Sequence, residues 1–190
     1  MNKKFFAIFL VSIIGISILA RLVPHAPNFT PIAALALFMG VYAAKISKWY
    51  LAVPLAVMLV SDAFLGFYEP KIMAVVYVSF FAIGLVGLLL KMCETRFRVS
   101  RVYTGAFGVL AGSLLFFFTT NFAVWAFSGM YALTLEGLML SYYMALPFLK
   151  FSLLGDLFYV SLFFGIYELA TSLSYKHYGQ QTTTATANSN

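Results

Sequence analysis

Three carboxylate side chains stand inside otherwise apolar stretches of this sequence: Asp62, Asp156 and Glu168. An ionisable group in hydrocarbon is costly, so each of these residues is a candidate for a functional site. Such carboxylates could accept hydrogen bonds from a ligand, balance a positive ligand or form ion pairs with the protein. Two of them could also share acid–base chemistry, although nothing in the spacing of Asp62 and Asp156 requires them to face one cavity.

Several other polar residues fall at a similar depth when the apolar runs are treated as helices. With a rise of 1.5 Å per residue, Asp62 lies about 20 Å from Trp49, and Asp156 lies about 9 Å from Lys150. Both positions map to the half of the bundle that we assign to the outside, whereas Glu168 falls near the inner interface, where it could pair with Lys176. We predict an outward-facing pocket, closed below, with these candidate binding residues: Arg21, His25, Asn28, Asp62, Asn121, Trp125 and Asp156.

Each of these residues also has a purely structural interpretation. Arg21 and Asp62 could form a buried ion pair, and Asn121 could tie two helices together by a hydrogen bond. His25, which lies between prolines, could be solvated, and Trp125 could belong to an interfacial aromatic belt. The hypothesis of a binding site therefore depends on the convergence of these residues and not on any one of them.

Sequence motifs for catalysis or metal binding are absent. The chain has no His-Glu-x-x-His, no Gly-x-Ser-x-Gly, no phosphate-binding glycine loop and no Cys/His metal spacing. Its two histidines, His25 and His177, are predicted to lie on opposite sides of a membrane, and its one cysteine, Cys93, excludes an intramolecular disulfide. We therefore predict no catalytic residues, no metal, no cofactor and no enzymatic activity.

The elements that position these residues must face something other than water. Of the 190 residues, 63% are hydrophobic and 9% are charged, whereas a soluble domain has about 25% charged residues. A transmembrane helix needs about 20 mostly apolar residues, so the chain is long enough for six. The net charge of +6 is then better explained by basic residues beside the spans than by a nucleic-acid partner.

The predicted fold class is all-α, a polytopic membrane protein with six transmembrane helices and an extra outer-face amphipathic or re-entrant helix. The single domain covers residues 1–175, and residues 176–190 form a disordered cytoplasmic tail. Three prolines in the segment 23–31 forbid a continuous helix there, Pro54 is expected to kink the third span, and Thr134 is expected to cap the extra helix, 134–146. The spans are predicted at residues 5–22, 32–44, 49–67, 72–90, 102–127 and 151–173.

The distribution of Lys and Arg predicts the orientation of the chain. With the N-terminus inside, nine of these residues lie on the cytoplasmic side, and only Arg21, Lys71 and Lys150 lie outside. Both termini are then cytoplasmic. The N-terminal apolar run resembles a signal peptide, but Ile18 is too large for the −3 position of a cleavage site before Arg21, so we expect a retained signal-anchor helix.

Four motifs carry a resemblance to a known family. Residues 21–38, which read RLVPHAPNFTPIAALALF, are similar to the opening signature of an uncharacterised bacterial family of small membrane proteins regarded as transport proteins. Ser61-Asp62, the segment 120–125 (TNFAVW), and the segment 145–148 (ALPF) with Gly155-Asp156-Leu157 resemble the same pattern. The resemblance covers about residues 20 to 170 and implies a location in the bacterial inner membrane.

More distantly, the layout is similar to the S components of energy-coupling-factor vitamin importers. That resemblance implies six helices with both ends inside and a substrate held near the outer face under three loops, here 23–31, 68–71 and 128–150. It also implies a coupling subunit with ATPases as partners, because this chain has no nucleotide motif. The expected function is uptake of an unknown small molecule by a protein of the S-component type.

Two other functions stay open at this point. The chain could be a non-transporting scaffold of the cell envelope, in which the polar cluster only locks helices together. It could also be an intramembrane enzyme that acts on lipid-linked substrates. A cavity beside the polar cluster would favour binding, and a filled, ion-paired core would favour the scaffold.

Overall fold

The computed structural model describes the backbone of residues 3–97 and 101–187 and the side chains of residues 4–97 and 104–173. No strand occurs in these residues, so the all-α prediction is confirmed. A π-helix (Met39–Ala43) extends the second helix, and a 3₁₀-helix (Lys48–Ala52) leads into the third. The α-helices are α1 (Lys3–Leu22), α2 (Ile32–Phe38), α3 (Val53–Leu65), α4 (Pro70–Phe97), α5 (Arg101–Phe127) and α6 (Leu135–Ala187).

Five helical segments in the described residues are long and apolar enough to cross a membrane: Lys4–Leu22, Lys48–Leu65, Pro70–Phe97, Thr104–Phe127 and Leu135–Leu173. The second predicted span is different. It is the short helix Ile32–Ala43, which at 1.5 Å per residue measures about 18 Å against a hydrocarbon core of about 30 Å. The structure therefore fits a helical, multi-pass membrane protein, but six full spans are not confirmed.

The short helix α2 is the centre of the bundle. Every residue from Ile32 to Met39 is buried, and α2 packs against α1, α3, α4, α5 and α6. Its all-apolar sequence, IAALALF, suits this position, because a helix that is hydrophobic on all sides belongs in a core. The chain therefore surrounds one short helix with five longer ones.

Small residues let α2 approach α4 closely. A Cβ atom added to Gly40 would lie 2.7 Å from the backbone nitrogen of Leu88, and one added to Gly87 would lie 2.6 Å from the carbonyl oxygen of Leu37. Such backbone-to-backbone contact is typical of membrane helices. In lipid the hydrophobic effect does not drive helices together, and small residues allow the close van der Waals packing that does. Gly40 and Gly87 therefore allow the backbones of the second helix and α4 to touch.

Two prolines lie within helices of the bundle. Pro54 lies in the first turn of α3, where its missing N–H leaves no intrahelical bond unmade; the third span changes there from a 3₁₀-helix to an α-helix, and the predicted kink stays a prediction. Pro147 lies inside α6, which is one helix from Leu135 onward. The predicted outer helix 134–146 and the predicted span 151–173 are thus parts of a single helix. Thr134 caps that helix as predicted, since its Oγ1 accepts from the Gly137 N–H at 3.2 Å.

The first part of α6 crosses α5 at a steep angle. Ser113 and Phe118 of α5 are five residues apart, about 8 Å along a helix, and they bond to Asp156 and Tyr142 of α6. Those two α6 residues are fourteen positions apart, about 21 Å along a helix. The two helices therefore cannot run parallel over this stretch, and the residues before Pro147 lean across the end of α5.

The bundle has two distinct ends. At the first-loop end, α1, α3 and α5 terminate, α4 and α6 begin, and residues 23–31 connect α1 to α2. We call the opposite end of the bundle, where Tyr42, Lys91, Glu94 and Glu168 lie, the basic-loop end. There Tyr42 donates a hydrogen bond to Glu168, and Lys91 forms an ion pair with Glu94 at 3.0 Å. Helix α6 reaches Ala187, but the side chains from residue 174 onward, including Lys176, lie outside the described residues. The disordered tail predicted for 176–190 stays a prediction.

Candidate functional site

Asp62 forms a closed polar cluster at the first-loop end. Its Oδ1 accepts from Nη2 of Arg21 at 2.5 Å, and its Oδ2 accepts from the hydroxyl of Tyr77 at 2.8 Å. A second guanidinium nitrogen of Arg21 contacts the sulfur of Met58. Burial and the negative charge of Asp62 raise the pKa of Tyr68, which lies in the nearby loop between α3 and α4.

This cluster joins helices and leaves little for a ligand to bind. Asp62 is only 2% exposed, and both of its oxygens already accept hydrogen bonds from α1 and α4. A buried carboxylate is tolerated when it is paired and hydrogen-bonded in this way. The alternative interpretation of Arg21 and Asp62 as a structural ion pair therefore describes their geometry better than a role in binding.

Asp156 is buried and has one hydrogen-bond partner, in the middle of α5. Its Oδ2 accepts from the hydroxyl of Ser113 at 2.5 Å, and Ser113 stands near the middle of α5 (Arg101–Phe127). The predicted depth of about 9 Å below the outer end stays a prediction. Asp62 and Asp156 therefore have different partners.

A recess connects the first loop with Asp156 and spans about 280 Å³, which includes the solvent at its mouth. We call it the Asp156 recess. Its polar residues are Asn28, Thr30, Ser152 and Asp156, and its apolar residues are Ala33, Phe80 and Phe116. It extends from Asn28, which is exposed in the loop, to Asp156, which is 5% exposed. Asp62 and Asn121 do not line it, so the predicted cavity that they share with Asp156 is not found here.

The polar groups of the Asp156 recess retain hydrogen-bonding capacity. Within the described part of the chain, the side chains of Asn28, Thr30 and Ser152 make no hydrogen bond, and Asp156 makes only the one with Ser113. By contrast, no fully buried side-chain nitrogen or oxygen among the described residues lacks a partner. The unused capacity therefore lies where water or a ligand can reach it.

The first loop is held over the recess by aromatic packing against α6. The ring of Phe29 lies 5.9 Å from that of Phe158 and 5.6 Å from that of Tyr159, centroid to centroid. Gly155 allows this approach, because a Cβ atom there would lie 3.1 Å from the Cα of Phe29. Next to Phe29, Asn28 has a φ of 61°, a conformation that Asn tolerates better than most residues.

The other predicted binding residues lie outside the recess. The ring of exposed His25 lies 2.7 Å from the carbonyl oxygen of Val23. The side-chain amide of Asn121 donates to the carbonyl of Phe117 in its own helix at 2.7 Å, and the indole N–H of Trp125 donates to the carbonyl of Ala132 at 2.9 Å. These contacts shape α5 and the loop after it.

The sequence reasoning missed Ser113, Ser152, Phe80 and Phe116. Ser152 precedes Asp156 by four residues, a spacing that puts both side chains on one face of a helix, so this pair could have been recognised. Ser113 is a single hydroxyl in an apolar run and gave no comparable signal. The rings of Phe80 and Phe116, with centroids 4.9 Å apart, meet only through the packing of α4 on α5.

A second recess, of about 390 Å³, opens at the basic-loop end beside Tyr42, Lys91, Glu94 and Thr104. This recess shares no lining residue with the Asp156 recess, and the predicted outward-facing pocket, closed below, stays a prediction. At the same end of the bundle, Glu168 accepts a hydrogen bond from the hydroxyl of Tyr42 in the π-helix. Among the described residues, no three His, Cys, Asp or Glu side chains come together as a metal site would require.

Comparison with known proteins identifies the family of this chain but no relative of known function. No curated protein and no solved structure matches the chain significantly. A family model, described as a family of unknown function (DUF6580), matches residues 1–181. This match confirms the prediction of an uncharacterised family, whereas the bacterial origin and the similarity to S components stay predictions. The chain belongs to DUF6580.

Proposed function

We propose that this protein is a membrane transport protein of the S-component type, which binds a small molecule in the Asp156 recess for uptake. The observation that carries the proposal is the unused hydrogen-bonding capacity of Asn28, Ser152 and Asp156 inside one recess. These groups lie where a ligand can reach them, and a ligand that bonds to them would use hydrogen-bonding capacity that the protein itself leaves unused.

The proposed topology has six helices in a bacterial inner membrane, with α2 as the short second member. The excess of basic residues at the basic-loop end puts that end in the cytoplasm, by the positive-inside rule. The termini are then cytoplasmic, and the Asp156 recess opens outward beneath the first loop. Because the first loop packs on α6 through Phe29, it is suited to cover a ligand.

The energy for uptake would come from other chains. The sequence has no nucleotide-binding motif, so a coupling subunit with ATPases is the proposed source. The second recess, beside Tyr42 and Lys91, lies on the side where ATPases would act.

The Arg21–Asp62–Tyr77 cluster favours a second candidate function, a non-transporting membrane scaffold. Its hydrogen bonds join α1, α3 and α4 without leaving a carboxylate oxygen free. A protein that only needs a rigid shape would have such an ion-paired core. The scaffold has no use for the Asp156 recess, however, and therefore ranks second.

A thermal-shift screen of the purified full-length protein would separate these functions. The screen would cover vitamins, amines and metal complexes, and each stabilising compound would be retested on Ser152→Ala and on Asp62→Asn. For a transport protein, at least one compound raises the melting temperature of the wild type, and Ser152→Ala weakens that effect whereas Asp62→Asn does not. Stabilising compounds that are insensitive to Ser152→Ala, or a screen without any, would contradict the proposal and favour the scaffold.

A further inference from the structure

We infer that the ligand of the Asp156 recess is a small organic cation, such as a primary or quaternary amine. The inference rests on the proposed function, because it assigns a chemical class to the same ligand. It depends on three properties of the recess: one carboxyl group without a cationic partner, neighbouring oxygens that can accept hydrogen bonds, and two aromatic rings.

The charge of the recess is the first argument. Asp156 is the one ionisable residue among those that line it. Within the described part of the chain, no Lys, Arg or His side chain contacts Asp156, and its one partner is the neutral hydroxyl of Ser113. Asp62, the other buried aspartate, has Arg21 at 2.5 Å. Asp62 thus has a cationic partner within the protein, whereas Asp156 lies in a recess where an external cation would fit.

The polar surroundings of Asp156 suit an ammonium group. Ser152 lies one helical turn before it, and the hydroxyl and amide oxygens of Ser152, Thr30 and Asn28 are available as acceptors. An ammonium group needs acceptors for its N–H bonds. A carboxylate or phosphate ligand would instead need cationic donors, which the residues lining the recess do not supply, and it would be repelled by Asp156.

The aromatic rings indicate an organic cation and not a bare metal ion. Phe80 and Phe116 both line the recess, with ring centroids 4.9 Å apart and planes inclined by 33°. Ring faces attract ammonium groups and also cover the carbon atoms next to the charge. A sodium ion could use the same oxygens, but it would leave this apolar wall in contact with nothing.

The test measures the affinity of the full-length protein in lipid nanodiscs for matched probes, by calorimetry at constant sodium concentration. The probes are choline and its neutral isostere 3,3-dimethylbutan-1-ol, n-butylammonium and neutral n-butanol, and the anion pentanoate. We expect the cations to bind roughly tenfold or more tightly than their neutral counterparts, because the carboxylate of Asp156 attracts a positive charge in these apolar surroundings. Asp156→Asn should abolish this preference, whereas Asp62→Asn, which alters the other buried carboxylate, should keep it.

Phe116→Leu serves as a second variant in case Asp156→Asn does not fold. It keeps an apolar wall but removes one ring face, so it should weaken the binding of choline more than that of its isostere. Equal affinities of the wild type for cations and neutral isosteres, tighter binding of pentanoate, or saturation by sodium alone would each overturn the inference. So would a cation preference that persists in Asp156→Asn.

The same measurements distinguish failure of this inference from failure of the proposed function. If a neutral or anionic compound binds and Ser152→Ala weakens it, the recess is a binding site, but its ligand is not a cation. If neither these probes nor any compound of the wider screen binds in a manner that depends on Ser152, both proposals are wrong.

Discussion

Nη2 of Arg21, in the last turn of α1, lies 2.5 Å from Oδ1 of Asp62, near the end of α3. The two residues are separated by 41 positions in the chain, and their ion pair joins the first helix to the bundle. The arginine side chain is 13% exposed and that of the aspartate 2% exposed, so water screens this pair only weakly.

Replacing Arg21 by Met should lower the free energy of unfolding by about 3 to 5 kcal/mol, because it leaves a buried carboxylate with only Tyr77 as partner. The double variant Arg21→Met with Asp62→Asn should recover part of this loss, since the uncompensated charge is gone. Unfolding in mixed micelles would give the free energies of unfolding of the wild type, the two single variants and the double variant, which together form a double-mutant cycle. Additive losses, with no coupling between the two positions, would contradict a buried ion pair.

The contact between α2 and α4 should not tolerate a side chain at Gly40. An added Cβ would lie 3.0 Å from the carbonyl carbon of Gly87 and closer still to other backbone atoms of α4, so Gly40→Ala should destabilise the protein by about 1 to 3 kcal/mol or more. Gly15→Ala is the matched control, because a Cβ at Gly15 meets nothing within 4 Å. Melting temperatures of both variants check this, and equal values would argue against the central position of α2.

Gly155→Ala should separate ligand binding from stability. The new Cβ would lie 3.1 Å from the Cα of Phe29 and would push the first loop away from α6, so the affinity of any recess ligand should fall. The melting temperature should change little, because two effects offset each other. Replacing a helical glycine by alanine stabilises the helix by up to about 1 kcal/mol, and moving the first loop away from α6 removes some packing. Gly165→Ala, with nothing within 4 Å of its added Cβ, has the same propensity gain and should leave affinity unchanged. An unaltered affinity in Gly155→Ala would show that the loop does not shape the site.

Chemical labelling would test the proposed orientation. Cys93 is exposed at the basic-loop end, so an impermeant maleimide should label it in inverted vesicles but not in intact cells. In a Cys93→Ser background, Glu69→Cys in the loop between α3 and α4 should show the opposite pattern. Labelling of Cys93 from outside intact cells would reverse the topology and turn the Asp156 recess toward the cytoplasm.

The sequence by itself determined which segments become helices. Apolar runs of about 20 residues, separated by charges and prolines, predict membrane helices, and α1, α4 and α5 follow them closely. Thr134 was recognisable as a cap because a threonine side chain at that position can accept from the first free N–H groups of a helix. The pairing of Arg21 with Asp62 was also foreseen, as an alternative to binding, because a buried carboxylate needs a cation or donors nearby.

Only the tertiary structure decided which helix faces meet and which polar groups are left without partners. The short α2 occupies the centre because Gly40 and Gly87 admit backbone contact with α4, and α6 continues through Pro147 although proline disfavours the interior of a helix. Asp62 and Asp156 looked equivalent in sequence, but Asp62 meets Arg21 and Asp156 meets only Ser113. Composition along the chain encodes helix formation locally, whereas the partner of a side chain depends on the packing of segments distant in sequence, which no local pattern contains.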